Sequence, residues 1–180
     1  MSDSDAAAPE EIIWQGKFIT TKRRGRWEYV SRSRGIKAAV ILAIDDGHVL
    51  LVEQYRVPLG CNCLELPAGL IGDHDHGETD DPLAAAGREL EEETGYRAGT
   101  LKALGNFFSS PGMVSESFTL VQAGDLEKVG PGGGVEGENI TVHRVALREI
   151  ETFIAAKRAE GCGIDVRLLM LLGARIIEGG

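Results

Sequence analysis

The sequence has no apolar run of about 18 residues, the length that a transmembrane helix needs, and no pattern typical of a secretory signal peptide. Basic residues are also in deficit, since 19 Lys and Arg stand against 28 Asp and Glu. The formal net charge is −9 and the isoelectric point is near 5.0. Such a charge disfavours general binding to nucleic acid or to an anionic membrane. We therefore expect a cytoplasmic protein with neither kind of partner.

Cysteine is scarce as well. The three cysteines, Cys61, Cys63 and Cys162, are an odd number and lack the spacing of a metal site. They are typical of reduced thiols in a cytosolic protein. The chain also lacks internal repeats and an inter-domain linker, and 43% of its 180 residues are hydrophobic. We expect one domain with a sizeable core, extended by a smaller N-terminal segment.

Composition and periodicity divide the chain into three segments. Residues 1–11 are mostly small and acidic and predict a disordered tail. Residues 12–34 contain two runs rich in β-branched and aromatic residues around a turn, and they predict an antiparallel β hairpin. Residues 35–180 hold the main domain. Its predicted strands cover residues 37–44, 48–55, 63–68, 101–108, 116–123 and 140–145. Three helices are also predicted: one begins near Pro82, and the other two cover residues 147–159 and 165–178.

The order of these elements predicts the architecture. Strands come first, then one helix, more strands and two final helices. This order is typical of an α+β domain in which helices cover both faces of a mixed sheet, an α/β/α layering. The N-terminal hairpin stands apart from that core and is free to reach a neighbouring subunit. Residues 124–137 are rich in glycine and predict a loop that is functional or mobile.

The helix that begins near Pro82 crowds carboxylates onto one side. At 100° per residue, three glutamates share an arc of roughly 100° beside the packing face, while Glu91 points elsewhere. Like charges at this spacing repel each other, and a hard divalent cation such as Mg²⁺ removes that penalty. A solvated acidic face is the alternative, but Arg-Glu before the run and Thr-Gly after it favour the metal. The packing face is Leu83, Gly87, Leu90 and Thr94, and the arc is Glu89, Glu92 and Glu93.

Residues 88–96, RELEEETGY, match the second half of the Nudix box, R-E-U-x-E-E-x-G-U, at every fixed position. Leu90 and Tyr96 fill its apolar U sites. From Gly16 onward, the chain resembles the ADP-ribose and ADP-sugar pyrophosphatase branch of the Nudix hydrolases. Pro111, about fifteen residues after the box, is a mark of that branch. The stretches that carry the resemblance are residues 16–18, 27–28, 52–58, 65–70 and 110–112.

The first half of the box departs from the family pattern. Whether Gly69 or Gly72 is taken as the box glycine, the loop of residues 72–81 is longer than the pattern expects. The loop carries the run His74-Asp75-His76, which we interpret as solvated surface, with metal binding as the alternative. The insertion leaves the role of Glu78, the box glutamate, open.

The resemblance implies Mg²⁺-dependent or Mn²⁺-dependent hydrolysis of the pyrophosphate of ADP-ribose, or a related ADP-sugar, to AMP and ribose 5-phosphate. Arg88 would orient a box glutamate by a charge-assisted hydrogen bond, and Glu92 would act as a third or bridging ligand in catalysis. Glu138 is favoured as metal-associated and Glu136 as the alternative base, on a loop whose glycines would let it close. The implied metal ligands are Glu89, Glu92, Glu93, Glu138 and the backbone carbonyl of Ala68.

The resemblance also places substrate recognition on the N-terminal hairpin. Phe18 and Trp27 would sandwich adenine, and Glu28 would accept a hydrogen bond from its exocyclic amine. A half-buried position at a sheet edge or dimer contact is the alternative for Trp27. The remaining implied substrate-binding residues are Arg32 and Arg56, which would pair with phosphate or ribose groups, and Pro111 and Gly112 in the turn that marks the branch.

In these relatives the hairpin is exchanged between subunits, so the resemblance implies a homodimer whose sites draw on both chains. The box does not separate ADP-sugars from GDP-sugars or oxidised nucleoside diphosphates. A non-catalytic nucleotide-sugar sensor is a weaker alternative, because sensors with this fold usually lose the box pattern that residues 88–93 keep.

Overall fold

A computed structural model describes residues 3–33, 37–71 and 81–178 of the chain. The loop run at residues 74–76 and Glu78 therefore lie outside the described residues. The first described part is a short helix, α1 (Asp3–Ala7), followed by three strands, β1 (Glu10–Gln15), β2 (Ile19–Arg24) and β3 (Trp27–Arg32). These strands form a three-stranded antiparallel sheet in the order β1-β2-β3.

The N-terminal part differs from its prediction in two ways. The sequence predicts a disordered tail through residue 11, whereas α1 and the start of β1 occupy this segment. The buried carboxylate of Asp5 accepts hydrogen bonds from the backbone and the guanidinium of Arg26, which fixes α1 on the β2–β3 turn. The predicted strand at residues 12–21 is divided by a turn in which Gly16 N–H donates to the Ile19 carbonyl at 2.8 Å. The predicted hairpin is therefore a three-stranded sheet.

The main sheet has eight strands. Along its path the order is β11-β6-β5-β4-β9-β8, and β10 pairs with β5 while β7 pairs with β4. The β4–β9 and β6–β11 pairs are parallel and the others are antiparallel, so the mixed sheet is confirmed. The strands are β4 (Lys37–Asp45), β5 (His48–Arg56), β6 (Cys61–Glu65), β7 (Ala68–Ile71), β8 (Tyr96–Phe108), β9 (Ser117–Lys128), β10 (Thr141–Ala146) and β11 (Gly163–Ile164).

A fork in the sheet positions the site. The last residues of β4, Ile44 and Asp45, pair with β5, whereas its first half pairs with β7 from Lys37 to Val40. The strands β4 and β5 therefore separate towards the Lys37 end of β4, where β4 pairs with β7 instead. Ala68, which pairs with Val40, lies in this opening.

Helices cover both faces of the sheet, as the layering predicts. They are α2 (Pro82–Thr94), α3 (Ile150–Ala159) and α4 (Leu169–Glu178), with 3-10 turns at Leu147–Glu149 and Val166–Leu168. Alternate residues of one strand enter different cores. In β4, Ala39 and Ile41 join a cluster with Leu90 of α2, while Val40 joins a cluster with Ile154 of α3. This alternation follows from the two-residue period of side chains along a strand.

Helix α2 has the ends that its sequence predicts. The Asp81 side chain accepts a hydrogen bond from Leu83 N–H at 3.3 Å, and Pro82 is the first helical residue. At the other end, Gly95 adopts φ 71° and donates its N–H to the Glu91 carbonyl at 2.8 Å. A Cβ on Gly87 would lie 3.2 Å from Leu101 Cδ1, so close packing against β8 explains this glycine.

The three cysteines are free thiols, as expected. Burial raises the pKa of Cys63 to about 12, so this thiol is unreactive at neutral pH. Within the described ranges, no helix is long and apolar enough to cross a membrane.

A cluster of charged and polar side chains around Glu53 predicts how the free energy of unfolding depends on pH. The Glu53 carboxylate accepts hydrogen bonds from Asn62 and His143 at 2.9 Å and pairs with Lys157 at 3.0 Å. Burial raises the pKa of Glu53, but these three partners outweigh it and lower the pKa to about 2. Because the folded-state pKa is depressed, the cluster stabilises the protein above pH 4.5, and this contribution is lost as the pH falls towards 2.

We expect Glu53→Gln to lower the free energy of unfolding at pH 7 by about 2 kcal/mol. The difference from the parent protein should shrink below pH 4.5 and vanish near pH 2. Urea unfolding across this range measures it, with Glu127→Gln, at an exposed position on β9, as the control. A difference that stays constant with pH would contradict the charge argument.

Candidate active site

A cleft of about 760 Å³ lies at the fork between β4 and β5. Its lining includes carboxylates from α2 and from the loop after β9. It also includes arginines from the N-terminal sheet, from β5 and from the segment after β11. The structure thus brings together most of the predicted metal ligands and both predicted arginines. The charged lining residues from the prediction are Glu89, Glu92, Glu93, Glu138, Arg32 and Arg56, and the backbone of Ala68 joins them.

Glu93 is a buried carboxylate of this cleft, with 8% of its surface exposed. The Ala68 N–H donates to its Oε2 at 3.0 Å. Burial raises the pKa of Glu93 to about 8, and repulsion from Glu89 and Glu138 adds to the rise, although Ala68 and Arg56 oppose it. A cation beside these three carboxylates would remove both the repulsion and much of the cost of burial.

The other glutamates of α2 differ in direction. A Cβ on Gly69 would lie 1.9 Å from Glu89 Cδ, so the Glu89 carboxyl group lies directly against the backbone of β7. Glu92 lines the cleft but is exposed. Glu91 points away, as predicted, and accepts two hydrogen bonds of 3.0 Å from Arg97. Arg88 is exposed and lies outside the set of cleft-lining residues, so its orienting role stays a prediction.

The donor set of the cleft fits a hard divalent cation. Carboxylate oxygens are what Mg²⁺ prefers, and all four predicted carboxylate ligands line this one cleft. In the part of the chain that the structure describes, no three His, Cys, Asp or Glu side chains are already arranged to hold one metal ion. Binding of a cation would therefore need some of these side chains to change conformation.

The loop between β9 and β10 separates the two candidate bases. Glu138 lines the cleft, and its Oε2 accepts a hydrogen bond from Val135 N–H at 3.0 Å. The side-chain amide of Gln54 donates to the backbone carbonyl of Glu138 at 3.3 Å. Glu136 is exposed and does not line the cleft. In this geometry, only Glu138 is near the box glutamates.

Three glycines of this loop make close backbone contacts with the end of α2, while the predicted closure of the loop stays a prediction. Gly133 N–H donates to the Glu93 carbonyl at 2.8 Å, and Gly134 N–H donates to the Glu92 carbonyl at 3.2 Å. Gly132 has φ 70°, and a Cβ there would lie 2.4 Å from the carbonyl carbon of Thr94. We call these contacts the α2–loop clamp. The clamp fixes the first half of the loop on the end of α2.

Ion pairs hold the arginines of the cleft. Arg56 donates through Nε and Nη2 to the two oxygens of the buried Glu65, at 2.5 and 2.9 Å. Arg32 donates to the Glu116 carboxylate. The prediction did not assign a role to several further cleft residues, although Gln54 and Glu65 fall in stretches that carry the family resemblance. These residues are Gln54, Glu65, Glu116, Asp165 and Arg167.

The predicted adenine site is not assembled by one chain. Trp27, Pro111 and Gly112 line a separate pocket of about 410 Å³ together with Tyr29, whereas Phe18 does not line it. Trp27 pairs with Arg24 at one end of β2, and Phe18 precedes the other end, roughly 20 Å away at about 3.3 Å per residue. Two rings that sandwich a base stand about 7–8 Å apart. Glu28 is exposed and lines neither pocket.

The chain resembles known proteins over its whole described fold. A family model described as a NUDIX domain matches residues 34–128. The uncharacterised Nudix hydrolase P35G2.12 of Schizosaccharomyces pombe is 31% identical over 177 residues, covering 92% of this chain and 83% of that protein. The ADP-ribose pyrophosphatase of Bacillus subtilis is 40% identical over 88 residues, covering 49% and 45%. The GDP-mannose pyrophosphatase of Citrobacter koseri is 34% identical over 109 residues, covering 56% and 54%.

A solved structure described as an ADP compounds hydrolase has a TM-score of 0.67 and 24% identity to this chain, covering 96% of this chain and 94% of that one. At this identity, the likeness shows the fold. The chain spans 56% and 63% of the length of two further curated relatives. Because the family model covers more than half of the chain and the S. pombe relative aligns over most of both proteins, the chain belongs to the Nudix family.

Proposed function

We propose that this protein hydrolyses the pyrophosphate of ADP-ribose, or of a related ADP-sugar, to AMP and ribose 5-phosphate with Mg²⁺ or Mn²⁺. The observation that supports this most is one cleft that holds the four predicted metal-binding carboxylates together with arginines. A diphosphate needs both partners, since metal-bound carboxylates and guanidiniums together offset its charge. The relative named ADP-ribose pyrophosphatase supports the choice of substrate.

The net reaction adds water across the phosphoanhydride. The water oxygen forms a bond to one phosphorus, the bond from that phosphorus to the bridging oxygen breaks, and the bridging oxygen leaves on the other phosphate. Bound metal would activate the water and offset charge on the phosphate oxygens. The residues that would hold it are Glu89, Glu92, Glu93, Glu138 and the carbonyl of Ala68.

Glu138 is the proposed base. It lines the cleft with the box glutamates, while its backbone is held by Gln54 and its carboxylate by Val135 N–H. The other carboxylate oxygen, Oε1, would accept the proton from water while Oε2 keeps the Val135 hydrogen bond. A general base within hydrogen-bonding reach contributes a factor of about 10²–10⁴ to the rate.

We propose that Arg56 and Arg32 bind the diphosphate. Both line the cleft, and each is already oriented by a carboxylate, Glu65 for Arg56 and Glu116 for Arg32. The bidentate contact to Glu65 occupies Nε and Nη2 of Arg56, which leaves Nη1 for substrate. An arginine held in this way loses little side-chain entropy when the substrate binds.

The adenine site is proposed to need a second copy of the chain. Phe18 and Trp27 of one protomer are too far apart to sandwich one base, but rings from two protomers are not limited in this way. The N-terminal sheet also exposes several large apolar side chains, including Ile12, Ile13 and Trp14, at 53–60%. Light scattering after size-exclusion chromatography tests the proposed homodimer, and a monomer at micromolar concentration would contradict it.

A GDP-sugar is the second candidate substrate, because a relative of similar identity is a GDP-mannose pyrophosphatase. Incubation with ADP-ribose, ADP-glucose, GDP-mannose and 8-oxo-dGDP, with and without Mg²⁺, separates the two. We expect metal-dependent formation of AMP and ribose 5-phosphate from ADP-ribose. Faster turnover of GDP-mannose would replace our assignment, and no turnover of any of the four would overturn it.

We expect Trp27→Ala to raise the KM for ADP-ribose by about tenfold and to change kcat little. Stacking of a base on an aromatic ring is worth about 1–3 kcal/mol, and it is present in both the bound and the transition state. Steady-state kinetics measure the effect, with Trp27→Phe, which keeps an aromatic ring, as the control that should stay near the parent KM. An unchanged KM in Trp27→Ala would remove the stacking role.

A further inference from the structure

Arg167 is a third guanidinium in the cleft, and it comes from the 3-10 turn after β11. Its Nε and Nη2 donate to the two oxygens of Asp165 at 2.6 Å each. Asp165 also accepts from the Arg167 backbone N–H at 2.8 Å. The guanidinium stacks over the Phe118 ring at 5.7 Å, and 19% of the side chain is exposed. Arg167 is therefore held in one orientation while it still reaches the cleft.

Arg167 and Arg56 share one buried carboxylate. Arg167 Nη2 lies 3.3 Å from Glu65 Oε2, the same oxygen that accepts from Arg56 Nη2. With Asp165, the four groups form a network of two positive and two negative charges. Nη1 of each arginine makes no hydrogen bond to the residues that the structure describes. Two sets of donors thus remain for a ligand of the cleft.

Stability alone is a weak reason for this network. Buried ion networks of this kind contribute little net stability compared with apolar side chains of the same volume. The network also borders the cleft, where two oriented guanidiniums match the oxygens of a diphosphate. Arg56 of this network also lies close enough to Glu93 to lower the pKa of that carboxyl group.

We propose that Arg167 binds the diphosphate of the substrate together with Arg56, and that Asp165 is a positioning residue that orients the Arg167 guanidinium. This inference rests on the proposed function, since it deepens the assignment of the same cleft. It adds a binding residue from the C-terminal part of the chain to those from the N-terminal sheet and β5.

The experiment compares Arg167→Met with the double variant Asp165→Asn/Arg167→Met. The single variant leaves Asp165 without its partner, so it is expected to lose thermal stability, whereas the double variant removes both charges and recovers it. Binding is measured by calorimetry with an ADP-ribose analogue in which a methylene replaces the bridging oxygen, in the presence of Mg²⁺. We expect both variants to weaken this binding by about tenfold or more.

Kinetics with ADP-ribose supply the second readout, because a diphosphate contact made in the ground state should raise KM more than it lowers kcat. Arg97→Met, which removes an exposed arginine that pairs with Glu91, is the matched control and should leave both readouts unchanged. Binding restored to the parent value in the double variant would show a purely structural role and overturn the inference.

The two proposals fail in different ways. If the parent protein neither binds the analogue nor hydrolyses ADP-ribose, the proposed function is wrong, and calorimetry with Mg²⁺ and inorganic pyrophosphate then tests Arg167 directly. Weaker pyrophosphate binding in both variants supports the inference. Equal pyrophosphate binding by the parent and the double variant overturns it.

Discussion

Glu93→Gln is expected to lower Mg²⁺-dependent turnover of ADP-ribose by more than about 100-fold and, at the same time, to stabilise the metal-free protein at pH 8. Changing a residue that only orients a metal ligand costs about 10–100-fold, so loss of a ligand should cost more. The fold should persist, because glutamine has the same shape and its side-chain oxygen still accepts from Ala68 N–H.

The gain in stability follows from the raised pKa of Glu93. This carboxyl ionises near pH 4.5 in the unfolded chain and near pH 8 in the fold, so the folded state binds more protons between these values. Stability of the metal-free parent therefore falls as the pH rises from 4.5 to 8, by a few kcal/mol in total. Glutamine has no such titration, so the variant lacks this slope.

Steady-state kinetics with Mg²⁺ measure the loss of turnover, and urea unfolding at pH 8 with EDTA and with Mg²⁺ measures the change in stability. Ligand at 100 times its dissociation constant stabilises by about 2.7 kcal/mol, so the parent should gain with Mg²⁺ and the variant should gain much less. Glu91→Gln, on the same helix but paired with Arg97, is the control and should keep full activity. Equal stabilisation of Glu93→Gln and the parent by Mg²⁺ would exclude Glu93 as a ligand.

Glu138→Gln is expected to lower kcat by about 100-fold or more, with KM within a few-fold of the parent value. Glu136→Gln should be nearly normal, because its exposed carboxylate does not line the cleft. The two residues are neighbours on one loop, so each variant serves as the control for the other. Steady-state kinetics at saturating Mg²⁺ decide between them. A normal kcat for Glu138→Gln would exclude this residue as base, and full activity of the double variant would exclude the loop.

Local signals predicted the central helix well. Pro82 at the first helical position and the left-handed Gly95 each act within one turn, so the bounds of α2 and the directions of Glu91 and Glu93 follow from the sequence, whereas the cap at Asp81 was not predicted. The two cores were also predictable, because β4 and β5 are nearly continuous apolar runs and successive residues of a strand point to opposite faces of the sheet.

Long-range pairing could not be predicted in the same way. Asp165 has the sequence pattern of a helix cap, and it does accept from the Arg167 backbone, but its contact with the network around Glu65 depends on the parallel β6–β11 pair. The lengths of β8 and β9 were underestimated for a similar reason, since Gly99 and Gly124 weaken a strand pattern that cross-strand pairing restores.

The α2–loop clamp, together with the contacts of Gly95, has a consequence for how this protein tolerates changes in chain length. Gly95 accepts hydrogen bonds from the N–H groups of Val129 and Gly130 at 2.9 and 3.1 Å, so the chain that leaves α2 returns to the same point. The long hairpin of β8 and β9 is thus joined at its base. Insertions or deletions at its far end are expected to leave the end of α2 and the start of the loop in place, and to act on the cleft through Ser109 and Glu116 instead.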